Sequence, residues 1–173
     1  LVGSDFATFP ESYAVYRESL DATALKQRLQ EYLLTMVEQL RLPEEYYGAL
    51  NQNKLVHFLQ SELAYRMWKA ERAGALYREQ PFVLGIAANR LKPEFPSEEK
   101  VLIQGIVDVY FEEEDGLVIV DYKTDRVESL EQLKERYRTQ LDYYEEAIER
   151  LTGNKVKEKI MYSFALADTV SWK

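Results

Sequence analysis

The sequence is most informative first in what it lacks. None of its 173 residues is cysteine, and it holds one histidine and seven glycines. Without cysteine the chain can form no disulfide, thiolate zinc site or iron–sulfur cluster of its own, and this fits a reducing compartment. There is no run of 18 apolar residues, so no segment reads as a membrane-spanning helix. No signal-peptide pattern is visible at the start. Positive charge is also in deficit: 22 Lys and Arg stand against 30 Asp and Glu, a net charge of −8. That balance argues against a strongly basic nucleic-acid binder. It leaves room for an enzyme that meets phosphates through metal ions, or one placed by a basic partner. The chain opens on Leu1 rather than Met, which reads as a fragment of something longer. The length fits one domain, with 46% hydrophobic residues, an ordinary globular content.

The first 20 residues carry Phe6, Phe9, Tyr13 and Tyr16, interrupted by Pro10, and read as a segment docked on the body. From Asp21, residues Leu25, Leu29, Leu33, Met36, Val37 and Leu40 recur at helical steps, with Asp21 or Thr23 as cap. Pro43 ends that segment and suits the first turn of a short helix through Leu50. Residues 53–72 read as one more amphipathic helix, with Leu55, Val56, Leu59, Leu63, Met67 and Trp68 inward and Gly74 as its stop. This helix carries His57, which as a lone helical histidine reads first as an ordinary surface or core residue. Leu76 to Leu84 reads as a strand, placed at an edge or a bulge by Pro81. Residues 85–100 read as an exposed loop. Ser129 opens a long helix, with Gln132 completing a capping box and Gly153 as the stop. Its inner stripe is Leu133, Tyr137, Leu141, Tyr144 and Ile148. Val156 to Ala165 is the last expected strand. The order predicts an α/β fold, a mixed sheet with one parallel pair joined by a crossover helix. The chain reads as a single domain, helical over 1–75 and sheet-based over 76–173.

The stretch from Gln104 to Asp125 organises this scheme. Two Val- and Ile-rich strands flank an acidic turn, and Asp115-Gly116 is a two-residue hairpin signal. With that turn Glu114 pairs with Leu117, and Asp108 lies opposite Lys123 and diagonal to Asp121. A register shifted by two sets Asp108 opposite Asp121. In either register alternation places Asp108, Asp121 and Lys123 on one face, within roughly 5–8 Å of each other. Two carboxylates close together in low dielectric resist ionising, and a divalent cation such as Mg²⁺ offsets their repulsion. The plainer reading is an exposed hairpin face with a cross-strand Asp–Lys pair. On the long helix Gln140 and Tyr144 share a face, fit either to meet a nucleotide or to serve as boundary and core residues.

In this order and spacing, Gly105-Ile-Val-Asp108, Asp121-Tyr-Lys-Thr-Asp125 and Gln140-x-x-x-Tyr144 resemble the RecB-type branch of the PD-(D/E)XK nucleases. Longer stretches within about residues 53–166 resemble the C-terminal nuclease domain of the AddA family, components of bacterial AddAB helicase–nucleases. They include Leu-Val-His-Phe-Leu-Gln-Ser-Glu-Leu, Tyr-Arg-Glu-Gln-Pro-Phe and Asp-Tyr-Lys-Thr-Asp-Arg-Val. The resemblance implies a restriction-endonuclease-like core with extra N-terminal helices, and hydrolysis of DNA phosphodiesters in the bacterial cytoplasm during double-strand-break repair and recombination. It implies Asp108 and Asp121 as ligands of Mg²⁺ or Mn²⁺, helped by the Tyr122 carbonyl, and Lys123 as the catalytic lysine. It implies Gln140 and Tyr144 as DNA-positioning groups and Glu79 as a residue beside the site. The implied partners are DNA, presented as single-stranded ends of an unwinding duplex, and an AddB-type protein. ATP belongs to a helicase part, since no Gly-x-x-x-x-Gly-Lys loop occurs here.

One departure stands out. The family's Gly-Thr-x-x-His motif, which supplies a metal-ligating histidine, has no counterpart here. Asn53-Lys-Leu-Val-His57 looks superficially similar, but His57 belongs to a stretch resembling sequence that follows that motif. The expected place of the motif is upstream of Leu1. A catalytically silent module for guiding DNA or docking another protein of the assembly therefore stands beside the nuclease reading. A stand-alone RecB-like nuclease fits the AddA-like stretches less well.

Overall fold

The computed structural model describes residues 22–173, in two compact units that divide between Gly74 and Ala75. Phe6, Phe9, Tyr13, Tyr16 and the cap candidate Asp21 lie outside the described residues.

The first unit is helical: α1 (Ala22–Glu38), α2 (Glu44–Ala49), α3 (Gln52–Gln60) and α4 (Glu62–Arg72). Leu25, Leu29 and Leu33 of α1, Leu55, Val56, Phe58 and Leu59 of α3, and Leu63, Met67 and Trp68 of α4 are buried. Side-chain bonds from Lys26 to Asn53 (3.0 Å) and Gln30 to Gln52 (2.8 Å) tie α1 to α3. Two expectations are corrected. Leu40 falls beyond the helix in the left-handed region (φ 56°) and is 92% exposed. The helix expected over 53–72 is two helices, broken at Ser61 in extended conformation (φ −70°, ψ 154°). Ser61 Oγ donates to the Phe58 carbonyl (2.6 Å) and accepts from the Ala64 amide (3.2 Å). The serine thus closes one helix and caps the next, an alternative to a continuous backbone ladder. The apolar stripe continues through the break, so periodicity alone could not reveal it.

The second unit is a five-stranded mixed sheet in the order β1-β2-β3-β4-β5. The strands are β1 (Leu76–Ala87), β2 (Lys100–Glu113), β3 (Gly116–Lys123), β4 (Val156–Ser163) and β5 (Asp168–Trp172). Helix α5 (Leu130–Thr152) crosses from β3 to β4, which pair in parallel; the other neighbours are antiparallel. Ser129 Oγ accepts from the Gln132 amide (3.2 Å), the Gln132 side chain accepts from the Glu128 amide (3.0 Å), and Gly153 ends the helix at φ 76°. Leu133, Leu141, Tyr144 and Ile148 pack on Val107, Tyr110, Leu117, Ile119 and Met161 as one core cluster. Each fully buried side chain of this kind contributes roughly 1.5–3 kcal/mol. The loop expected over 85–100 is shorter, because β1 runs to Ala87 and a 3₁₀ turn (Ala88–Arg90) follows. β5 was not expected from the sequence. No helix among the described residues is long and apolar enough to cross a membrane.

The hairpin register also differs from the first expectation. Glu113 pairs with Gly116, so Glu114-Asp115 forms the turn, and neither residue has positive φ. Gly116 opens β3 instead, at φ 142°, where an added Cβ would lie 2.9 Å from the Lys155 carbonyl oxygen and 3.2 Å from Lys157 Cβ. The glycine is needed where β3 meets the entry to β4, a contact remote in sequence. The shift by two is the register that sets Asp108 opposite Asp121.

Candidate active site

The site forms where β2 and β3 diverge under α5. Regular pairing ends at Val109 and Val120. Beyond it the Tyr122 amide donates to Asp108 Oδ2 at 3.0 Å, so a side chain takes the place of the next ladder bond. Ile119, in the core under α5, fixes the face of β3 on which Asp121 and Lys123 also lie.

Asp121 is 2% exposed. Its Oδ2 is buried without a well-aligned hydrogen bond and lies 2.7 Å from Lys123 Nζ. Burial, opposed by the Lys123 ammonium and reinforced by the Asp108 and Asp125 charges, leaves its carboxyl raised to about 6. Lys123 Nζ also donates to Gln140 Oε1 (3.2 Å), and Gln140 Nε2 donates to the Tyr144 hydroxyl (2.6 Å). Burial, followed by the nearby Asp121 charge, raises the Tyr144 phenol above its ordinary value. Phe82 of β1 meets the Tyr144 ring edge-on, 5.6 Å between centroids.

The structure therefore brings Asp108, Asp121, Lys123, Gln140 and Tyr144 together. Glu79 lies across from Asp108, between the pairs Arg78–Val109 and Gln80–Val107, and is itself omitted from the ladder. It is exposed and held at φ 50°, a conformation that costs a non-glycine residue roughly 1–2 kcal/mol. His57 is exposed on α3 of the first unit. The sequence pattern assigns Tyr137 to the helix core and gives Asp125 no role. In the structure Lys123 Nζ lies 3.9 Å from the Tyr137 ring centroid, and the Tyr137 hydroxyl donates to Asp125 (2.8 Å). The available signal was position: Tyr137 precedes Gln140 by three residues and Tyr144 by seven, on one helix face.

Donor chemistry here fits a hard divalent cation. Asp108 and Asp121 offer carboxylate oxygens, one of them buried without an aligned hydrogen bond, and the Lys123 ammonium supplies positive charge beside them. Among the described residues no group of three or more His, Cys, Asp or Glu side chains is arranged to hold a metal.

A mixed sheet with a parallel β3–β4 pair under α5, and an Asp and an Asp-x-Lys facing each other where β2 and β3 diverge, define a nuclease class. Residues 8–170 match the family model of the PD-(D/E)XK nuclease superfamily, and the chain belongs to that superfamily. It is similar to the A subunit of the ATP-dependent helicase/nuclease of Lachnoclostridium phytofermentans, 37% identical over 86% of this chain and 13% of that protein. The protein of the same name from Clostridium botulinum strain 657 is 40% identical over 82% of this chain and 11% of its own length. That from Clostridium kluyveri is 38% identical over 84% and 12%. The chain spans about an eighth of the length of these relatives.

Proposed function

We infer that this chain is a metal-dependent deoxyribonuclease domain of an AddAB-type helicase–nuclease, hydrolysing DNA phosphodiesters during double-strand-break repair and recombination in the bacterial cytoplasm. The observation that carries this reading is the buried Asp121 carboxylate, with Asp108 opposite and the Lys123 ammonium at 2.7 Å. Asp108, Asp121 and the Tyr122 carbonyl would hold Mg²⁺ or Mn²⁺. When bound, such an ion supplies Lewis acidity toward the phosphate and a more acidic water. Lys123, brought next to the scissile phosphate, offsets the negative charge that develops there. Gln140 and Tyr144, already bonded to each other beside Lys123, set the position of the nucleotide backbone. Such contacts read the backbone rather than base edges, so cleavage follows strand geometry rather than sequence. The substrate is the single-stranded end of an unwinding duplex. The ATP-driven motor and an AddB-type partner belong to the longer assembly.

A second reading, a silent module that guides DNA or docks another protein of the assembly, draws support from the missing third ligating side chain among the described residues. Degradation of linear single-stranded DNA in Mg²⁺ or Mn²⁺ against EDTA, with Asp121→Asn alongside, separates the two. The nuclease reading expects metal-dependent products, reduced at least ~100-fold in the variant. No cleavage by this chain, and none by a longer polypeptide carrying upstream sequence, would sink it.

A further inference from the structure

We propose that Tyr137 is a positioning residue for Lys123, its ring fixed in place by Asp125. A lysine ends a flexible four-carbon stem, and holding it in one place opposes its rotamer entropy. Three groups converge on this ammonium: the Asp121 carboxylate at 2.7 Å, the Gln140 amide oxygen at 3.2 Å and the Tyr137 ring at 3.9 Å from its centroid. The ring approaches well inside the ~6 Å range of cation–π attraction.

These contacts differ in what they do to the charge. A carboxylate neutralises it, and Asp121 is also a proposed metal ligand, so its hold on Lys123 competes with another task. The ring face attracts the ammonium without neutralising it, and that attraction does not depend on what Asp121 binds. The ring is held from both sides: α5 fixes its Cα, and its hydroxyl donates to Asp125 Oδ1 at 2.8 Å. Asp125 is held in turn by Arg136, 3.6 Å away. It follows Lys123 by two residues, so strand end, loop and helix close a small ring of contacts around the lysine. A residue serving only the core would need no such anchor, and Tyr137 is only partly buried at the margin of the core cluster.

The catalytic consequence rests on the nuclease reading; the positioning itself does not, and the test keeps them apart. Tyr137→Leu removes the ring, whereas Tyr137→Phe keeps the ring and loses only the hydroxyl. With single-stranded DNA and Mg²⁺, Tyr137→Leu is expected to lose about tenfold in kcat with KM within about twofold, and Tyr137→Phe, which keeps the ring but gives up the Asp125 anchor, to lose a smaller part of it, about threefold in kcat. In NMR spectra of the metal-free protein, the ring current moves the Lys123 ε-methylene protons upfield, in the parent and in Tyr137→Phe but not in Tyr137→Leu. Unchanged kcat in Tyr137→Leu, an equal loss in Tyr137→Phe, or an effect on KM alone overturns the proposal. If the parent cleaves nothing, the nuclease reading fails and the NMR signal decides positioning by itself: unshifted ε-methylene protons in the folded parent overturn it.

Discussion

Two lysines on neighbouring strands point at the same helix and are treated in opposite ways. Lys159 of β4 is 4% exposed, and its ammonium meets two carboxylates of α5, Asp142 at 2.7 Å and Glu145. Burial alone would lower its pKa, but its bonds to Asp142 and Glu145 outweigh burial and raise it. Both acids reach toward solvent, so water shares the cost of the buried charge. Lys123 of β3 meets a single carboxylate, and there it is the acid that is buried, with Asp121 pushed up to about 6. Its other partners, an amide oxygen and an aromatic face, carry no net charge. The first arrangement satisfies a cation. The second buries an acid beside a single cation and leaves its carboxyl raised, a perturbation of the kind found at functional sites.

The sharpest way to break this contrast is to remove each lysine in turn. Lys123→Ala is expected to cut DNA cleavage at least ~100-fold and to lose about 1–3 kcal/mol of unfolding free energy, because it leaves the buried Asp121 carboxylate without its ion-pair partner. Lys159→Met should keep cleavage within about threefold and lose about 1–3 kcal/mol, because it breaks a buried ion pair. Cleavage assays and urea unfolding on both variants read the contrast: stability falls in both and cleavage in Lys123→Ala alone, so an equal loss of cleavage in both would erase the distinction between the two lysines.

A middle-sized effect concerns Asp121 in the metal-free protein. Its folded pKa near 6 stands above the ordinary carboxylate value. The folded state therefore binds more protons than the unfolded state between about pH 4 and 6. Stability from this group is complete below that window and is lost as pH rises through it, by about 1–3 kcal/mol. Asp121→Asn should remove this component. Urea unfolding in EDTA at several pH values checks it, and equal slopes in parent and variant would contradict it. The smallest effect is expected at Asp142, which is half-exposed and shares Lys159 with Glu145. Asp142→Asn should cost no more than about 1 kcal/mol, shrinking as salt is added.

Much of the site was legible because its information is local. Residues two apart on a strand share a face, so Asp121 and Lys123 had to lie together. Residues three or four apart on a helix do the same, which grouped Gln140 with Tyr144 and placed Leu133, Leu141 and Ile148 inward. Ser129 and Gly153 bounded α5 through caps that need only neighbouring residues. The Ser61 break was hidden because the apolar period runs through it, and β5 because its five residues, Asp168–Trp172, make too short an alternating run to stand out.

The sequence by itself determined which side chains share a face, where the long helix starts and stops, and the family to which the chain belongs. Tertiary structure decided which residues face each other. Asp115-Gly116 signalled a turn by local preference, yet Gly116 is needed beside the Lys155 carbonyl, the turn falls one residue earlier, and the pairing register is shifted by two, which sets Asp108 opposite Asp121. The Tyr137 ring met the Lys123 ammonium only once α5 had crossed to β4 and lay over β3. Local propensity acts through covalent neighbours, whereas register and side-chain convergence depend on burial and close packing between segments far apart in the chain.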